Sequence, residues 1–430
     1  MRWPSRFIWS SSLLLLGCLQ DDVKTDDVKT DDVSVSPDSG DDTDTDTDTD
    51  TDTDTATDTD TAVLFERFVV VGDSGHVGSG QMNVGNAIIA ACADMGGCDY
   101  GLMNGDNIYP AGVLSPTDGL WATNFETAFG DLGFPFYAAL GNHDYGGITE
   151  TDELDCSKSI TSLDCLLDIG SAIGQATGGI GLDPARAPHQ IAYASTSDSF
   201  VMNDNHYRFE TSLIDFAVID STPIYWHDAN DTSNWGLSAL TFMLDDDMFE
   251  YAASETEEQA AALTSWRASS TRRWRIAMAH HPYLSNGAHG NAGSYNGTGG
   301  LEGDILPEGI ELKAFLDDHV IDAGVHVYVY GHDHNLMDLG EHIPTGRSRG
   351  TQMILSGAAS KITERRDSTD AENASLYEVT CNGFVMVEAS EEELRFIYIV
   401  VPSGPDSECA NQTEDWSISH TRVVEYYEPG

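Results

Sequence analysis

Five short apolar segments of this chain each end in side chains that can bind a metal ion. The polar ends are Gly72-Asp73, Gly105-Asp106-Asn107-Ile108-Tyr109, Gly141-Asn142-His143-Asp144, His280-His281-Pro282 and Gly331-His332-Asp333-His334. Their donors are carboxylates, an amide oxygen, imidazoles and a phenol. Such a set is typical of a site that binds iron, manganese or zinc and differs from the cysteine ligands of a structural zinc site. One carboxylate can bridge two cations ~3.5–4 Å apart, the separation that serves phosphoryl transfer. Asp106 is the candidate bridge, because Tyr109 follows closely and can turn back to the same ion.

The apolar segments themselves are typical of buried β-strands, because they are short, rich in β-branched and aromatic residues and bounded by Gly or Pro. In α/β sheets, ligands bind beyond the carboxyl ends of such strands, so the five polar ends are expected at one shared rim. Periodicity predicts helices over residues 82–93, 255–268 and 310–323, and later strands over residues 353–355, 383–388 and 394–401.

These motifs are similar to those of a known family. The chain resembles the purple acid phosphatases of the calcineurin-like metallophosphoesterase superfamily, and among them the mammalian-type tartrate-resistant acid phosphatases. The resemblance runs from about Phe65 to Ser403 and includes stretches without catalytic residues, such as Gln190-Ile191-Ala192-Tyr193 and Leu355-Ser356-Gly357-Ala358. It implies a fold of the α/β class, a sandwich of two mixed β-sheets flanked by helices.

The resemblance also implies a dinuclear metal centre. It would place Fe(III) among Asp73, Asp106, Tyr109 and His334, and a divalent ion, Fe, Zn or Mn, among Asp106, Asn142, His280 and His332. A water or hydroxide held by the metals would then attack the phosphorus of a phosphate monoester, as in an acid phosphatase. His289 is assigned as the proton donor to the leaving alkoxide and His143 as an orienting residue, since histidine titrates in a suitable range.

Two positions, Ser74 and His281, depart from the family pattern, and Ser74 stands where an aromatic residue is usual. A third position, Gly75, separates the family from its relatives. Gly75 stands where most metallophosphoesterases have a metal-binding histidine, and the resemblance implies that the phenol of Tyr109 replaces that donor and, with Fe(III), gives the purple colour. His281 stands where tyrosine is common, and either packing or substrate contact would explain it.

Three segments are interpreted as parts of the rim around the site. Residues 285–303 are rich in glycine and predict a flexible loop beside His289. Residues 144–189 are interpreted as an insertion. Residues 221–258 are expected to form an exposed loop that restricts access for large substrates.

The beginning of the chain predicts export. Residues 1–18 combine basic residues, an apolar run and Leu15-Leu16-Gly17-Cys18, which is typical of a bacterial lipoprotein signal with Cys18 as the lipid anchor; an ordinary signal peptide is the alternative. Residues 19–62 are dominated by Asp and Thr, cannot bury a core and predict a disordered tether, with a weak calcium-binding array as the alternative. Residues 63–405 are the predicted catalytic domain and residues 406–430 a C-terminal tail.

The chain is strongly acidic, with 20 basic and 72 acidic residues and a formal net charge of −52. This charge argues against nucleic acid as a partner. A small phosphate monoester or a phosphoprotein is the expected substrate. The protein is expected to be a monomer that contacts the membrane only through its lipid anchor, at the cell surface or in the periplasm.

Besides Cys18 the chain has an even number of cysteines, which in an exported protein predicts disulfides. Proximity in the sequence favours Cys92–Cys98, Cys156–Cys165 and Cys381–Cys409 among about fifteen possible arrangements.

Two alternatives to a phosphomonoesterase fit the same motifs. A phosphodiesterase or nucleotidase would use the same metals and differ only in its rim loops. A non-catalytic surface adhesin or phosphate-binding lipoprotein could use a degenerate scaffold of this kind. A degenerate scaffold is expected to lose metal ligands, whereas all the expected donors are present in this sequence.

Overall fold

The structure, a computed structural model, describes residues 64–146, 183–227, 246–295, 307–366 and 373–428. The predicted signal segment 1–18 with Cys18, the predicted tether and the predicted Cys156–Cys165 disulfide lie outside the described residues. Among the helices of the described part, none is both long and apolar enough to cross a membrane.

Two seven-stranded sheets form the centre of the described chain. The strands of sheet A are, in spatial order, β14 (Ser417–Glu425), β13 (Glu393–Val400), β12 (Gly383–Ser390), β1 (Phe65–Val71), β2 (Tyr100–Met103), β3 (Phe136–Ala138) and β4 (Phe200–Val201). Those of sheet B are β11 (Tyr377–Val379), β9 (Leu336–His342), β10 (Thr351–Ser356), β8 (Val327–Tyr330), β7 (Trp274–Met278), β6 (Ile214–Val218) and β5 (Tyr207–Glu210). Both sheets combine parallel strands with antiparallel edges, so the predicted sandwich of two mixed sheets is confirmed.

Helices flank the sheets in the described part of the chain. They are α1 (Ser79–Asp94), α2 (Ala122–Gly130), α3 (Ala187–Ala194), α4 (Ser221–His227), α5 (Asp246–Ser269) and α6 (Ile310–Leu316), with a further helical segment over Asp317–Ile321. The three predicted helices are therefore present, with α1 and α5 longer than predicted. The later predicted strands correspond to β10, β12 and β13.

Strand β1 shows how the sequence builds two layers of core. Phe68 and Val70 point to one side and lie in the core between the sheets, where the Phe68 ring meets Phe216 of sheet B with centroids 5.8 Å apart. Val69 and Val71 point to the other side and belong to the cluster that contains Val84 of α1. A strand that is buried on both faces reads as a continuous apolar run, which is the pattern that ends in Gly72-Asp73.

The register of the parallel strands brings the five motifs together. Val71 pairs with Met103 and Met103 with Ala138, so β1, β2 and β3 end side by side. In sheet B, Met278 of β7 pairs with Val329 of β8. Each of these five strands is followed by one of the metal-binding motifs, as predicted from the sequence.

Two sequence boundaries need correction. The segment 406–430 is more than a tail, because β14 pairs with β13 along its length and Val424 is buried in the core between the sheets. The segment 221–258 is not simply an exposed loop, because it begins with the buried helix α4 and its described C-terminal part belongs to α5. Helix propensity explains the second difference, since residues 252–263 are rich in Ala, Glu and Gln.

Two of the predicted disulfides are confirmed. Cys92–Cys98 closes the turn after α1, and Cys381–Cys409 connects the start of β12 to the segment that leads to β14. A disulfide that closes a longer segment restricts the unfolded chain more strongly, so Cys381–Cys409, which spans 28 residues, is expected to stabilise the fold more than Cys92–Cys98, which spans 6.

An ion pair between the two sheets gives a test of the role of β14. Arg422 Nε lies 2.6 Å from Oδ2 of Asp338 in β9, and the Asp338 side chain is fully buried. We expect Arg422→Met to lower the free energy of unfolding by about 3 kcal/mol, because the substitution leaves the buried Asp338 carboxylate without its arginine partner. The loss is at the low end for a buried pair, because His420 Nε2 still lies 3.4 Å from Asp338 Oδ2. Urea denaturation measures this change.

Arg395→Met is the matched control for that substitution. Arg395 also pairs with carboxylates within sheet A, but its side chain is 44% exposed, so a loss below about 1 kcal/mol is expected. Equal losses for the two variants would contradict a structural role for the Arg422 pair.

Candidate metal centre

The donor side chains leave the strands at residues with an unusual backbone conformation. Asp73, Asp106 and His332 have φ angles of 55°, 53° and 72°, and they are the only non-glycine residues with positive φ in the described chain. Such a conformation costs of order 1–3 kcal/mol and persists where the surroundings require it, typically at functional sites. All three are among the seven predicted metal ligands.

One group of donors converges on the Tyr109 phenol. Tyr109 OH donates to Asp106 Oδ2 at 2.7 Å, and it lies 3.2 Å from both Asp73 Oδ1 and His334 Nε2. These are the four side chains predicted around Fe(III). The turn of Tyr109 back to Asp106, expected from their spacing, is present.

A second group converges on the Asn142 amide oxygen. His280 Nε2 lies 2.9 Å and His332 Nδ1 3.1 Å from Asn142 Oδ1. The two ring nitrogens are 3.1 Å apart, and Asp106 Oδ1 is 3.4 Å from His280 Nε2. Asp106 therefore faces both groups, one with each carboxylate oxygen, as a bridging ligand would.

The proton positions in the second group fit a cation. His280 Nδ1 lies 2.9 Å from the carbonyl oxygen of Asn104, which can only accept, so the neutral ring carries its proton on Nδ1. Its Nε2 lone pair then faces a carboxylate oxygen, an amide oxygen and another imidazole. This Nε2 and the two oxygens of Asp106 and Asn142 that face it are all acceptors, which repel each other, whereas a metal ion would make their approach favourable.

Burial has a large effect on the acid–base properties of the donors. It raises the pKa of Asp73 to about 8 and, together with Asp106, raises the pKa of Tyr109 well above its usual value. Burial also opposes ionisation of Asp106, but His280 and His143 outweigh it and lower the pKa of this carboxyl group. Burial, assisted by Lys361, lowers the pKa of His334 to about 3, which leaves a neutral imidazole able to bind a metal.

The close turn after β1 explains the absence of the usual histidine at position 75. Gly75 N donates to the Asp106 carbonyl at 3.1 Å, and Tyr109 N donates to the Gly75 carbonyl at 3.2 Å. A Cβ at position 75 would collide with the Asn107 carbonyl oxygen. The space that a side chain at 75 would need is thus occupied by the loop that carries Tyr109.

The two predicted catalytic histidines flank the donor groups. His143 lies over the Tyr109 ring with centroids 4.4 Å apart, and its backbone N–H donates to Asp106 Oδ1 at 2.9 Å. His289 lies over the ring of His332 with centroids 4.0 Å apart. Each histidine therefore lies beside one of the two donor groups, and their catalytic roles remain predictions.

His281 is placed in a packing environment. Its Nδ1 lies 2.8 Å from Ser221 Oγ, and its ring stacks on Tyr225 at 4.9 Å between centroids. Both partners belong to α4, and the His281 side chain is completely buried. Of the two explanations left open by the sequence, these contacts favour packing.

Two carboxylates next to the ligands were given no role from the sequence. Asp144 accepts backbone N–H groups of Asn107, Ile108 and Gly141 at 2.9–3.1 Å, and so joins the second and third motifs. Asp333 accepts the backbone N–H of His289 at 2.9 Å. Their positions within the two motifs were visible in the sequence, but their partners Asn107, Ile108 and His289 lie 36–44 residues away.

Comparison with known proteins identifies the family of this chain. The family model of the calcineurin-like phosphoesterases matches residues 66–336. The chain belongs to this family. The match begins in β1 and ends at the start of β9, so it contains all seven predicted ligands.

Two similar sequences are acid phosphatases. Purple acid phosphatase 3 of Arabidopsis thaliana is 26% identical over 344 residues, covering 77% of this chain and 73% of that protein. Human tartrate-resistant acid phosphatase type 5 is 24% identical over 361 residues, covering 77% and 86%. Together with the donor set, these similarities imply metal ions at the site.

Among solved structures, the fold is similar to GAP50, the anchor in the inner membrane complex of Plasmodium. The TM-score is 0.52 at 16% identity, and the match covers 84% of this chain and 89% of that one. At this identity the similarity concerns the fold alone.

Metal binding should stabilise the protein through the buried donors. At a free metal concentration of about 100 times Kd, binding to the folded state alone adds about 2.7 kcal/mol to the free energy of unfolding. We expect chelation to lower the melting temperature accordingly, and Asp106→Asn to abolish most of this metal-dependent difference. Thermal unfolding with and without a chelator measures it.

Asp204→Asn is the control, because Asp204 is exposed, is not one of the seven proposed donors and accepts the backbone N–H of the neighbouring Asn205 at 2.9 Å. A metal-dependent shift that is the same in Asp106→Asn and in the unmodified protein would contradict the assignment of Asp106.

Proposed function

We propose that this protein is a dinuclear metal-dependent phosphomonoesterase of the purple acid phosphatase type. Asp73, Asp106, Tyr109 and His334 would hold Fe(III), and Asp106 would share a divalent ion, Fe, Zn or Mn, with Asn142, His280 and His332. Membership of the calcineurin-like phosphoesterases follows from the family match, whereas the choice of metals and of monoester substrates rests on the residues of the site.

The position of the Tyr109 phenol is the observation that most directly supports Fe(III) at the first donor group and a protein of the purple acid phosphatase type. The phenol contacts both carboxylates and the imidazole of the first donor group, and Tyr109 is 4% exposed. A phenol is an unusual member of a buried donor set, and a trivalent cation would favour its ionised form despite the raised pKa caused by burial. The acid phosphatases among the similar sequences support the same assignment.

The chain's own residues would orient the substrate and handle its protons. Two bound cations supply charge for the phosphoryl oxygens and lower the pKa of water at the site. His143 Nδ1 lies 2.6 Å from the Pro110 carbonyl, so the neutral ring presents Nε2 as an acceptor, which suits an orienting role. His289, beside His332, is the proposed proton donor to the leaving oxygen.

Fold alone would not establish catalysis, since the fold is shared with a protein described as an anchor. The donor set supports an enzyme over a non-catalytic surface protein, because all seven donors converge in two adjoining groups. We further propose export of the protein as a lipoprotein anchored at Cys18, acting as a monomer on small phosphate monoesters or phosphoproteins and not on nucleic acid. The acidic composition supports the last point.

Comparison of two substrates tests the reaction class. We expect p-nitrophenyl phosphate to be hydrolysed with a kcat/KM at least about tenfold above that for bis(p-nitrophenyl) phosphate, a preference of about 1.4 kcal/mol in transition-state free energy. Metal analysis of the same sample should give two ions per chain. A preference for the diester would move the function to the phosphodiesterase or nucleotidase alternative; absence of metal and turnover would leave the non-catalytic one.

Substitution of the phenol tests the metal assignment directly. Tyr109→Phe should remove the visible absorption band expected of an Fe(III)–tyrosinate pair, because the phenol oxygen is its source. Tyr100→Phe is the matched control: Tyr100 is also buried, but its hydroxyl donates to Glu66 at 3.1 Å, away from the donor groups. Visible spectroscopy of the two purified variants with matched iron content decides the assignment, and a band that survives in Tyr109→Phe would contradict it.

A further inference from the structure

Asp333 lies between two proposed metal ligands in the sequence, yet its carboxylate accepts hydrogen bonds from a different segment of the chain. His332 and His334 direct their rings to the two donor groups. The Asp333 side chain is completely buried and turns to the segment 285–290, which carries His289. A carboxyl group without exposure to solvent must be satisfied by hydrogen bonds, and here that segment provides them.

Both carboxylate oxygens of Asp333 are used. Oδ1 accepts the backbone N–H of His289 at 2.9 Å. Oδ2 accepts the Ser285 hydroxyl and, at 3.4 Å, the backbone N–H of Gly290. Ser285 Oγ in turn accepts the backbone N–H of Gly287 at 2.9 Å, so the segment closes around the carboxylate.

The fit between the carboxylate and this segment is close. A Cβ at position 287 would collide with the Asp333 carboxylate, so only glycine allows the backbone to approach so far. The backbone of Asp333 is also held by hydrogen bonds, because its N–H donates to the Gly331 carbonyl at 2.9 Å and its carbonyl accepts from Asn335 N at 2.7 Å. The carboxylate therefore has little freedom relative to the backbone of His332 and His334.

Asp333 and His332 together determine where His289 lies. Its backbone is tied to Asp333, one residue from His332, while its ring lies over the His332 ring at 4.0 Å. The backbone bond and the ring contact together fix His289 relative to the second donor group. A displacement of about 1 Å at such a group can cost about 100-fold in rate.

We infer that Asp333 is a positioning residue that holds His289 at the distance from the metal site at which it protonates the leaving oxygen. In that step the oxygen of a water molecule forms a bond to phosphorus and the P–O bond to the leaving group breaks. The leaving oxygen receives the proton carried by the His289 imidazole, and the attacking water releases one proton to solvent. This inference rests on the proposed function and adds a requirement to it: the acid is set by a carboxylate that is not itself a ligand.

The dependence of rate on the leaving group distinguishes this role from a purely structural one. An alkyl phosphate needs a proton on its leaving oxygen far more than p-nitrophenyl phosphate does. In Asp333→Asn we expect kcat to fall by about 10- to 100-fold for ethyl phosphate and by less than about threefold for p-nitrophenyl phosphate. KM and the metal content should be unchanged.

A double-mutant cycle provides the second measurement. If Asp333 acts through His289, the variant Asp333→Asn/His289→Ala should hydrolyse ethyl phosphate no more slowly than His289→Ala alone. Additive losses, or equal losses with both substrates, would overturn the inference. Because wild-type turnover and metal content are measured in the same series, failure of the proposed function appears separately, as a wild-type protein without phosphatase activity.

Two further variants keep the test decisive if Asp333→Asn folds poorly. Ser285→Ala removes one hydrogen bond to the carboxylate and should produce a smaller loss with the same preference for ethyl phosphate. Asp338→Asn removes another fully buried carboxylate, which pairs with Arg422, and should lower stability without changing the ratio of the two rates. The same altered ratio in Asp338→Asn would overturn the inference.

Discussion

The site depends on one geometric requirement: strands that end in parallel must turn their next side chains inward to a common point. An extended chain alternates its side chains between the two faces of the sheet and cannot do this alone. A residue with positive φ turns the chain sharply and so allows this change of direction. In the described chain, the non-glycine residues with positive φ are Asp73, Asp106 and His332. The strain is tolerated because the turns are held by hydrogen bonds, such as Asp73 N to the Gly105 carbonyl at 3.1 Å.

Electrostatics at the centre differ from those of the whole chain. A net charge of −52 repels a phosphate substrate at long range, although salt screens that field beyond about 8 Å. Near the site, buried carboxylates face imidazoles and backbone N–H groups, and the Lys361 ammonium lies 4.9 Å from the centre of the Tyr109 ring. Attraction of an anion is therefore a local property. It comes from the metal ions implied at the donor groups and from the Lys361 ammonium beside them.

The sequence predicted the strands well, because each is a short apolar run that local pattern is enough to find. The seven proposed donors follow these strands within a few residues, and the structure brings them together, while their role as metal ligands stays a prediction. The sequence did not predict the partners of Asp144 and Asp333, whose bonds run to segments about 35 and 45 residues away in the chain. It also placed the end of the domain at residue 405, before β14. That strand is poor in apolar residues apart from Ile418, Val423 and Val424, so its sheet position depends on pairing with β13.

Asp144 and Asp333 solve the same problem in the two halves of the site. Each is adjacent or nearly adjacent to a proposed ligand, is completely buried, and accepts backbone N–H groups from the loop of a different motif. In sheet A, Asp144 joins the loop of Asp106 to that of Asn142; in sheet B, Asp333 joins the loop of His332 to that of His289. Backbone N–H groups are better partners for this purpose than side chains, because their positions carry no rotamer freedom. A centre assembled from five strand ends can therefore be precise although most of its donors lie on loops, since carboxylates outside the proposed ligand set fix those loops to one another.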